Sequence, residues 1–222
     1  MSGTDNPHKL QQPSYNDKRI VLNKANLIEP ITRHRIQDSI FYKQHLYLTN
    51  EATILPCIVR EVRYIGGVDS NTRPCPFFCC LLRLLELEPP PAIIRLYLDQ
   101  LGFNEFKYLT ALTLMYIRFA WSNEDIYKIF DKYYSDFRKL RFHLKTPIFN
   151  EHNIAIKFEV RHMDEWVDSL LSEERILGLI LPRLVPRYNL VEKRLLEERK
   201  YNISSDEDVL DHEESSYESD SD

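Results

Sequence analysis

The cysteines are the residues whose types and spacing first suggest chemistry. Three of the four lie close together, in the order Cys75-x-x-x-Cys79-Cys80, which could indicate metal ligation. A zinc site would need a second cysteine pair or histidines at zinc-finger spacing, and the sequence has neither. Cys79 and Cys80 stand instead in the most apolar stretch of the chain, where a free cysteine behaves as a small hydrophobic residue. The sequence therefore predicts no metal site and thiols that pack in a core.

Recognisable catalytic groupings are missing from the sequence. It contains neither the Gly-x-Ser-x-Gly turn of hydrolases nor the His-Glu-x-x-His pair of zinc proteases. Asp164 and Glu165 are adjacent, so a helix would point them to different faces, which is poor geometry for acid–base catalysis. Gly66-Gly67 lacks the Gly-x-Gly-x-x-Gly spacing of a phosphate-binding loop. The sequence thus predicts no catalytic residue, no cofactor and no enzyme activity.

A short loop is the first candidate for binding a partner. It contains Gly66, Gly67, Arg73 and Pro74, and its prolines stiffen it. Rigid loops on helical scaffolds often carry contacts. In the alternative interpretation, Gly66 ends a helix of about residues 53–65 as a left-handed C′ residue, and the loop is only a connection.

The segment 133–145 interleaves aromatic and cationic side chains. This pattern could bind RNA, because aromatic rings stack on bases while cations neutralise phosphates. The cations that would contact RNA are Arg138, Lys139, Arg141 and Lys145. In the alternative interpretation the segment is the end of a helix, where cations favour the helix dipole and aromatic residues fill the core.

A second candidate for partner binding lies near the end of the predicted helices. Tyr188–Tyr201 mixes charges of both signs around a thin apolar stripe, and its candidate contacts are Arg187, Tyr188 and Arg194. Such a helix can project and pack on a partner. It can equally be a peripheral helix that closes the domain.

Charge is segregated along the 222 residues. The formal net charge is −5, but residues 204–222 hold nine carboxylates and no Lys or Arg. The 29 basic residues therefore face 25 acidic ones in residues 1–203, a balance of about +4. The acidic end has too few apolar residues to fold alone. Four serines there precede an acidic residue by three positions and are candidates for phosphorylation: Ser204, Ser205, Ser215 and Ser219.

Hydrophobic periodicity assigns helices to most of the remaining chain. Ser122 is placed to cap a helix reaching about Leu140, and Met163 to about Leu181 has the pattern of a closing helix. Only one stretch alternates with a period of two, which predicts a half-buried strand in a small β-hairpin near 147–161. Its apolar positions are Ile154, Ile156, Phe158 and Val160.

These patterns predict a mainly α fold with three parts. Residues 1–29 form an extended or partly disordered arm. Residues 30–201 form a single compact multi-helical domain with one small hairpin, and residues 202–222 form a disordered acidic tail. The N-terminal residues lack the apolar core of a secretory signal, and no apolar run approaches ~18 residues. We therefore expect no membrane span and a reducing compartment that keeps the thiols free.

Three stretches together carry a resemblance to a known family. They are Val62–Val68 leading to Pro74–Phe77, then Phe106–Leu109 with Tyr116–Arg118, and finally Met163–Asp168 followed by Ile180–Leu184. Their order and their residues resemble those of the pre-mRNA-processing factor 38 family over roughly residues 30–200.

The resemblance implies a nuclear pre-mRNA splicing factor with a compact helical domain and no catalysis of its own. A protein of this kind joins the spliceosome with the tri-snRNP and is needed for its activation, acting as a scaffold. The resemblance also implies two protein partners, a zinc-finger tri-snRNP protein and a splicing factor related to microfibrillar-associated protein 1. The alternative is a direct RNA-binding module that uses the basic and aromatic segment on snRNA or pre-mRNA.

Overall fold

Two helices that are apolar on nearly every side organise the fold. The computed structural model describes residues 23–199. Helix α3 (Pro76–Leu87) and helix α5 (Lys107–Ala120) lie in its centre, and every residue of α5 from Leu109 to Phe119 is buried. A helix that is hydrophobic all round is stable only inside a protein, because no face of it favours water.

Other elements within residues 23–185 pack against these two helices. The remaining helices are α1 (Pro30–Asp38), α2 (Ile54–Glu61), α4 (Pro91–Asp99), α6 (Asn123–Phe130), α7 (Met163–Ser172) and α8 (Arg187–Glu192). Two antiparallel hairpins complete the fold, β1 (Lys139–Phe149) with β2 (Ala155–His162), and β3 (Arg175–Ile176) with β4 (Leu179–Ile180). The prediction of a mainly α fold with a small hairpin is confirmed. No helix in residues 23–199 is long and apolar enough to cross a bilayer.

Local chemistry accounts for several helix starts. Pro30, Pro76 and Pro91 each stand at the first position of a helix, where the missing N–H costs no hydrogen bond. Ser122 caps α6 as predicted, because its Oγ accepts a hydrogen bond of 3.2 Å from the Asp125 N–H.

Three predicted boundaries are wrong. Helix α6 ends at Phe130, and the chain from Lys139 is already a strand, so the main hairpin starts earlier than residue 147. Helix α7 ends at Ser172, and residues 175–180 form the second hairpin. That hairpin turns at Leu177 and Gly178, which both have positive φ, the geometry that a two-residue hairpin turn requires.

The predicted role of Gly66 as a helix C-cap is also wrong. Helix α2 ends at Glu61 and the next residue is already extended. Gly66 is not left-handed, since the glycines with positive φ in the described part of the chain are Gly102 and Gly178. The segment after α2 instead reaches β1, where the Ile65 N–H donates to the Arg141 carbonyl at 2.8 Å.

The described residues at both ends of the predicted domain bear on where packing begins and ends. Packing begins before residue 30, because Ala25, Leu27 and Ile28 are buried and the Lys24 backbone N–H donates to Glu88 Oε1 at 2.7 Å. Of the described residues, those up to Val185 group into one compact unit and those from Pro186 into a second. The division into arm, domain and tail stays a prediction. The rest of the predicted arm and the predicted acidic tail, with its four candidate serines, lie outside the described residues.

Candidate functional site

The predicted rigid loop is held in one conformation by backbone hydrogen bonds. The Cys75 N–H donates to the Gly67 carbonyl at 2.9 Å and the Asp69 N–H to the Arg73 carbonyl at 3.0 Å. The Arg73 N–H in turn donates to Asp69 Oδ1 at 2.8 Å. The Arg73 side chain is thus exposed on a turn that these bonds fix. Such preorganisation lowers the entropic cost of binding.

Gly66 and Gly67 are close-packing positions between the loop and the two hairpins. A Cβ on Gly66 would lie 3.1 Å from His143 Cβ, and one on Gly67 would lie 2.6 Å from the Leu177 carbonyl oxygen. The Gly66 carbonyl also accepts a hydrogen bond of 2.8 Å from the Cys75 thiol. Close packing therefore explains both glycines, and Arg73 is the exposed one of the four loop residues predicted to bind a partner.

The loop and the main hairpin form a continuous surface, which we call the loop–hairpin surface. It comprises loop residues 66–75 and the face of the hairpin that carries Lys139, Arg141 and His143. On it Tyr64, His143 and Phe158 make an aromatic cluster with ring centroids 5.2–5.5 Å apart. The structure therefore brings together two candidates that the sequence treated separately. Tyr64 and Phe158 were absent from the predicted set because their meeting depends on the pairing of Ile65 with β1.

The four cations predicted to contact RNA have different environments. Arg138 is tied into the fold, since its Nη2 lies 2.6 Å from Asp136 Oδ2 and its Nη1 donates to the Asn104 carbonyl at 2.6 Å. Lys139 and Arg141 are exposed on one face of β1, and Lys145 is exposed farther along the strand. The Arg141 guanidinium carbon lies 5.0 Å from the centroid of the Phe158 ring. From Lys139 onward the segment is a strand, so the alternative interpretation as a helix end is wrong for Lys139, Arg141 and Lys145.

The apolar alternation of β2 is exposed instead of half-buried. Ile154, Ile156, Phe158 and Val160 keep between 36% and 61% of their accessible surface. The reason is that the core-facing residues of the hairpin come from β1, whose Leu140 and Phe142 are buried, Phe142 against Trp166. A period of two identifies a strand with one apolar face but does not say which face the core covers.

The second predicted partner site lies in the second compact unit. Arg187 begins helix α8, and its Nη2 donates to the Glu197 carbonyl at 3.1 Å. Tyr188 and Arg194 are exposed, and Arg194 has a left-handed backbone with φ of 57°.

The cysteines are core residues, as predicted. Cys57, Cys75, Cys79 and Cys80 are all buried free thiols. Burial raises the pKa of Cys75 and of Cys79 to about 12, so both thiols stay protonated at neutral pH. Within residues 23–199, no three His, Cys, Asp or Glu side chains are grouped so that they could hold a metal ion.

Comparison with known proteins agrees with this architecture. The PRP38 family matches residues 17–194 of the chain. The Pre-mRNA-splicing factor 38A of Xenopus tropicalis is 35% identical over 198 residues, which are 88% of this chain and 58% of that protein. The Pre-mRNA-splicing factor 38A of Homo sapiens is 35% identical over 191 residues, 85% of this chain and 57% of that protein. The chain thus spans a little over half the length of these relatives.

A solved structure matches the fold itself. One chain in the crystal structure of the Snu23-Prp38-MFAP1(217-258) complex of Chaetomium thermophilum superposes with a TM-score of 0.74 at 35% sequence identity. The match covers 87% of this chain and 94% of that chain. Sequence and structure lead to the same assignment, which confirms the resemblance carried by the three stretches: the chain belongs to the PRP38 family.

Proposed function

We propose that this protein acts in pre-mRNA splicing as a non-catalytic scaffold in the nucleus. In this role it joins the spliceosome with the tri-snRNP and is needed for activation, through contacts between proteins. The observation that carries the proposal is the likeness to one chain of a three-protein complex over 87% of this chain. The exposed Arg73 on its fixed loop and the exposed aromatic and apolar side chains of the main hairpin supply surface for such contacts.

The proposed partners are counterparts of the proteins in that complex. The related chain was crystallised with Snu23 and with MFAP1(217-258). We propose that this protein likewise binds a zinc-finger tri-snRNP protein and a splicing factor related to microfibrillar-associated protein 1. The loop–hairpin surface and the residues Arg187, Tyr188 and Arg194 are the first places to test.

Splicing in depleted extract tests the scaffold role. Extract from which the protein has been removed should assemble spliceosomes that stall before activation, and the purified chain should restore activation. Normal splicing after complete depletion would contradict the proposal.

Arg73→Ala should leave the fold intact, because exposed substitutions usually change stability by less than about 0.5 kcal/mol. At a binding hot spot it should weaken partner binding by more than about 1 kcal/mol. Arg35→Ala, on exposed helix α1, is a matched control.

Direct RNA binding is the second candidate function, and one observation favours it. Lys139 and Arg141 are exposed on the same face of β1, beside the aromatic cluster of Tyr64, His143 and Phe158. Cations beside exposed rings are the combination that holds single-stranded nucleic acid. Nuclear RNA within the assembly would be the ligand.

The salt dependence of RNA affinity tests this second candidate. Binding of a single-stranded oligonucleotide should weaken steeply with salt, and Lys139→Ala with Arg141→Ala should reduce the slope of log K against log salt by about 1.4. Lys128→Ala with Lys132→Ala removes two exposed lysines elsewhere and serves as the control. An unchanged slope in the first double variant would exclude this face as the RNA site.

A further inference from the structure

The outer edge of β2 presents backbone hydrogen-bonding groups that the fold leaves open. The Arg141 carbonyl and the His143 N–H both bond to Ile65, at 2.8 Å each, on the side of β1 away from β2. The residue between them, Phe142, must therefore bond toward β2, where it faces Glu159. Backbone groups alternate in direction along a strand. It follows that Phe158 and Val160 point their N–H and C=O groups outward.

The next backbone N–H that points outward along β2, that of His162, already donates to a carboxylate. His162 has the same parity as Phe158 and Val160, and its N–H donates to Glu165 Oε2 at 2.6 Å. The open stretch therefore begins beside the first turn of α7. Within residues 23–199, neither Phe158 nor Val160 has an outward backbone hydrogen bond.

The two edges of the main hairpin are protected to different degrees. Ile65 covers part of the β1 edge, and farther along β1 the four residues Leu144–Pro147 bulge opposite Lys157 alone. Such bulges and prolines prevent the pairing of an edge strand. Strand β2 has neither, and its outward positions Phe158 and Val160 also expose 36% and 61% of their surface. An unblocked edge with apolar side chains is a template for an added strand.

The charges beside this edge specify what kind of segment it would accept. A groove of about 550 Å³ runs between Val160 and the start of α7, and Asp164, Glu165 and Asp168 line it. The Asp164 Oδ1 atom is buried without a hydrogen-bond partner in the described part of the chain. Among the described residues that line the groove the one cation is Arg161, whose Nη2 is already 2.5 Å from Glu159 Oε1. The groove thus offers carboxylate acceptors with little compensating positive charge.

We propose that the outer edge of β2 binds an extended, basic segment of a partner protein as an added antiparallel or parallel strand. The backbone of the segment bonds to Phe158 and Val160, its apolar side chains cover the exposed face of β2, and its Arg or Lys side chains reach Asp164 and Asp168. This inference rests on the proposed scaffold function and names one surface and one class of partner for it.

The same charges argue against two other occupants. Two copies of this chain paired edge to edge would bring two sets of these carboxylates together, which is repulsive. RNA would place its phosphates beside Asp164, Glu165 and Asp168, which is repulsive as well. Both occupants remain distinguishable outcomes of the experiment below.

The experiment uses the full chain and a designed probe. The probe is a peptide of about ten residues that alternates Val and Arg, the spacing that places one side-chain type on each face of a strand. Its control alternates Val and Glu. We expect the Arg peptide to bind and to protect the Phe158 and Val160 amide protons from exchange, whereas those of Glu159 and Arg161 are protected already. Binding of both peptides alike, or of neither, overturns the proposal.

Two variants test the edge and the groove separately. Val160→Pro removes the outward N–H without removing a bond to β1, which an edge position tolerates, and should weaken the Arg peptide about tenfold. The double variant Asp164→Asn with Asp168→Asn leaves the backbone unchanged. It should weaken binding of the Arg peptide about fivefold, and by more at low salt. Asp38→Asn, which neutralises an exposed acid on α1, is the control. Unchanged affinity in both test variants overturns the proposal.

Other occupants and the wider function give different results. Protection of Phe158 and Val160 in the free protein, together with a dimeric mass, would show that a second copy occupies the edge. Protection of these amides by an oligonucleotide but not by the Arg peptide would show RNA. Either result overturns the proposal. If Val160→Pro abolishes peptide binding yet fully restores splicing in depleted extract, the edge is dispensable for splicing and the inference fails while the scaffold function stands.

Discussion

Arg118 shows how a single charged residue can be part of a core. Arg118 lies on the central helix α5 and is only 2% exposed, as buried as the apolar residues around it. Its Nε donates to the Leu170 carbonyl and its Nη1 to the Pro182 carbonyl, each at 2.7 Å. It thereby satisfies carbonyls at the end of α7 and in the segment that follows β4, so one side chain fixes two chain segments against α5.

Replacing Arg118 should destabilise the fold strongly. In Arg118→Leu the two buried carbonyls lose these donors, at a cost of about 1–3 kcal/mol for each unsatisfied group. Urea unfolding followed by circular dichroism measures the change. Arg35→Leu on α1 is the control, because Arg35 is exposed. Equal stability of Arg118→Leu and the unmodified protein would show that Arg118 does not hold these segments.

At the scale of elements, the two hairpins and the loop between α2 and α3 depend on one another. Ile65 bonds to β1, Gly66 packs on His143 of β1, and Gly67 packs on Leu177 of the second hairpin. These elements are short, so each is stable only through such contacts. The loop–hairpin surface is therefore built by packing between elements that are distant in sequence.

Gly67→Ala tests this packing. The added Cβ would stand 2.6 Å from the backbone oxygen of Leu177, so the loop or the hairpin must move, and we expect a loss of about 1–3 kcal/mol in unfolding free energy. Gly66→Ala is the matched comparison, because its nearest contact is a side-chain atom at 3.1 Å. We expect a smaller loss there. Thermal unfolding of both variants measures the two losses of stability. A larger loss for Gly66→Ala would contradict the closer packing assigned to Gly67.

For the whole molecule, the buried thiols and phenols make stability depend on alkaline pH. Burial raises the pKa of Cys75 and Cys79 to about 12, and that of Tyr64, Tyr97 and Tyr133 to about 12 as well. The unfolded chain loses the same protons near the ordinary values, about 8.5 for Cys and about 10 for Tyr. The folded state therefore holds more protons than the unfolded state between these values and about 12.

Stability should consequently be complete below about pH 8 and fall as the pH rises through about 9 to 12. Urea midpoints measured at several pH values test this expectation. Cys75→Ala with Cys79→Ala should flatten the first part of the decline, because tyrosines begin to titrate only near pH 10. A midpoint that is constant between about pH 8 and 11 would contradict the raised pKa values.

Local sequence patterns determined the class of the fold and many of its boundaries. Proline at the first position of α1, α3 and α4, the Ser122 cap, and the all-round apolar character of α3 are features of neighbouring residues, and each is readable without tertiary structure. The burial of Cys79 and Cys80 followed from the same patterns. Family membership was also readable, because it depends on the order of residues alone.

Only the tertiary structure decided which residues meet and which faces are covered. The apolar run through Phe137 and Leu140 suits a helix end, yet from Lys139 onward pairing with β2 makes the chain a strand, because ladder bonds outweigh weak local propensity. Burial of Leu140 and of Phe142, the latter against Trp166, turned the apolar face of β2 outward. Ile65 paired with β1, and within residues 23–199 no backbone group bonds to the outer edge of β2 at Phe158 or Val160. These outcomes depend on contacts between residues far apart in the chain, which local periodicity does not encode.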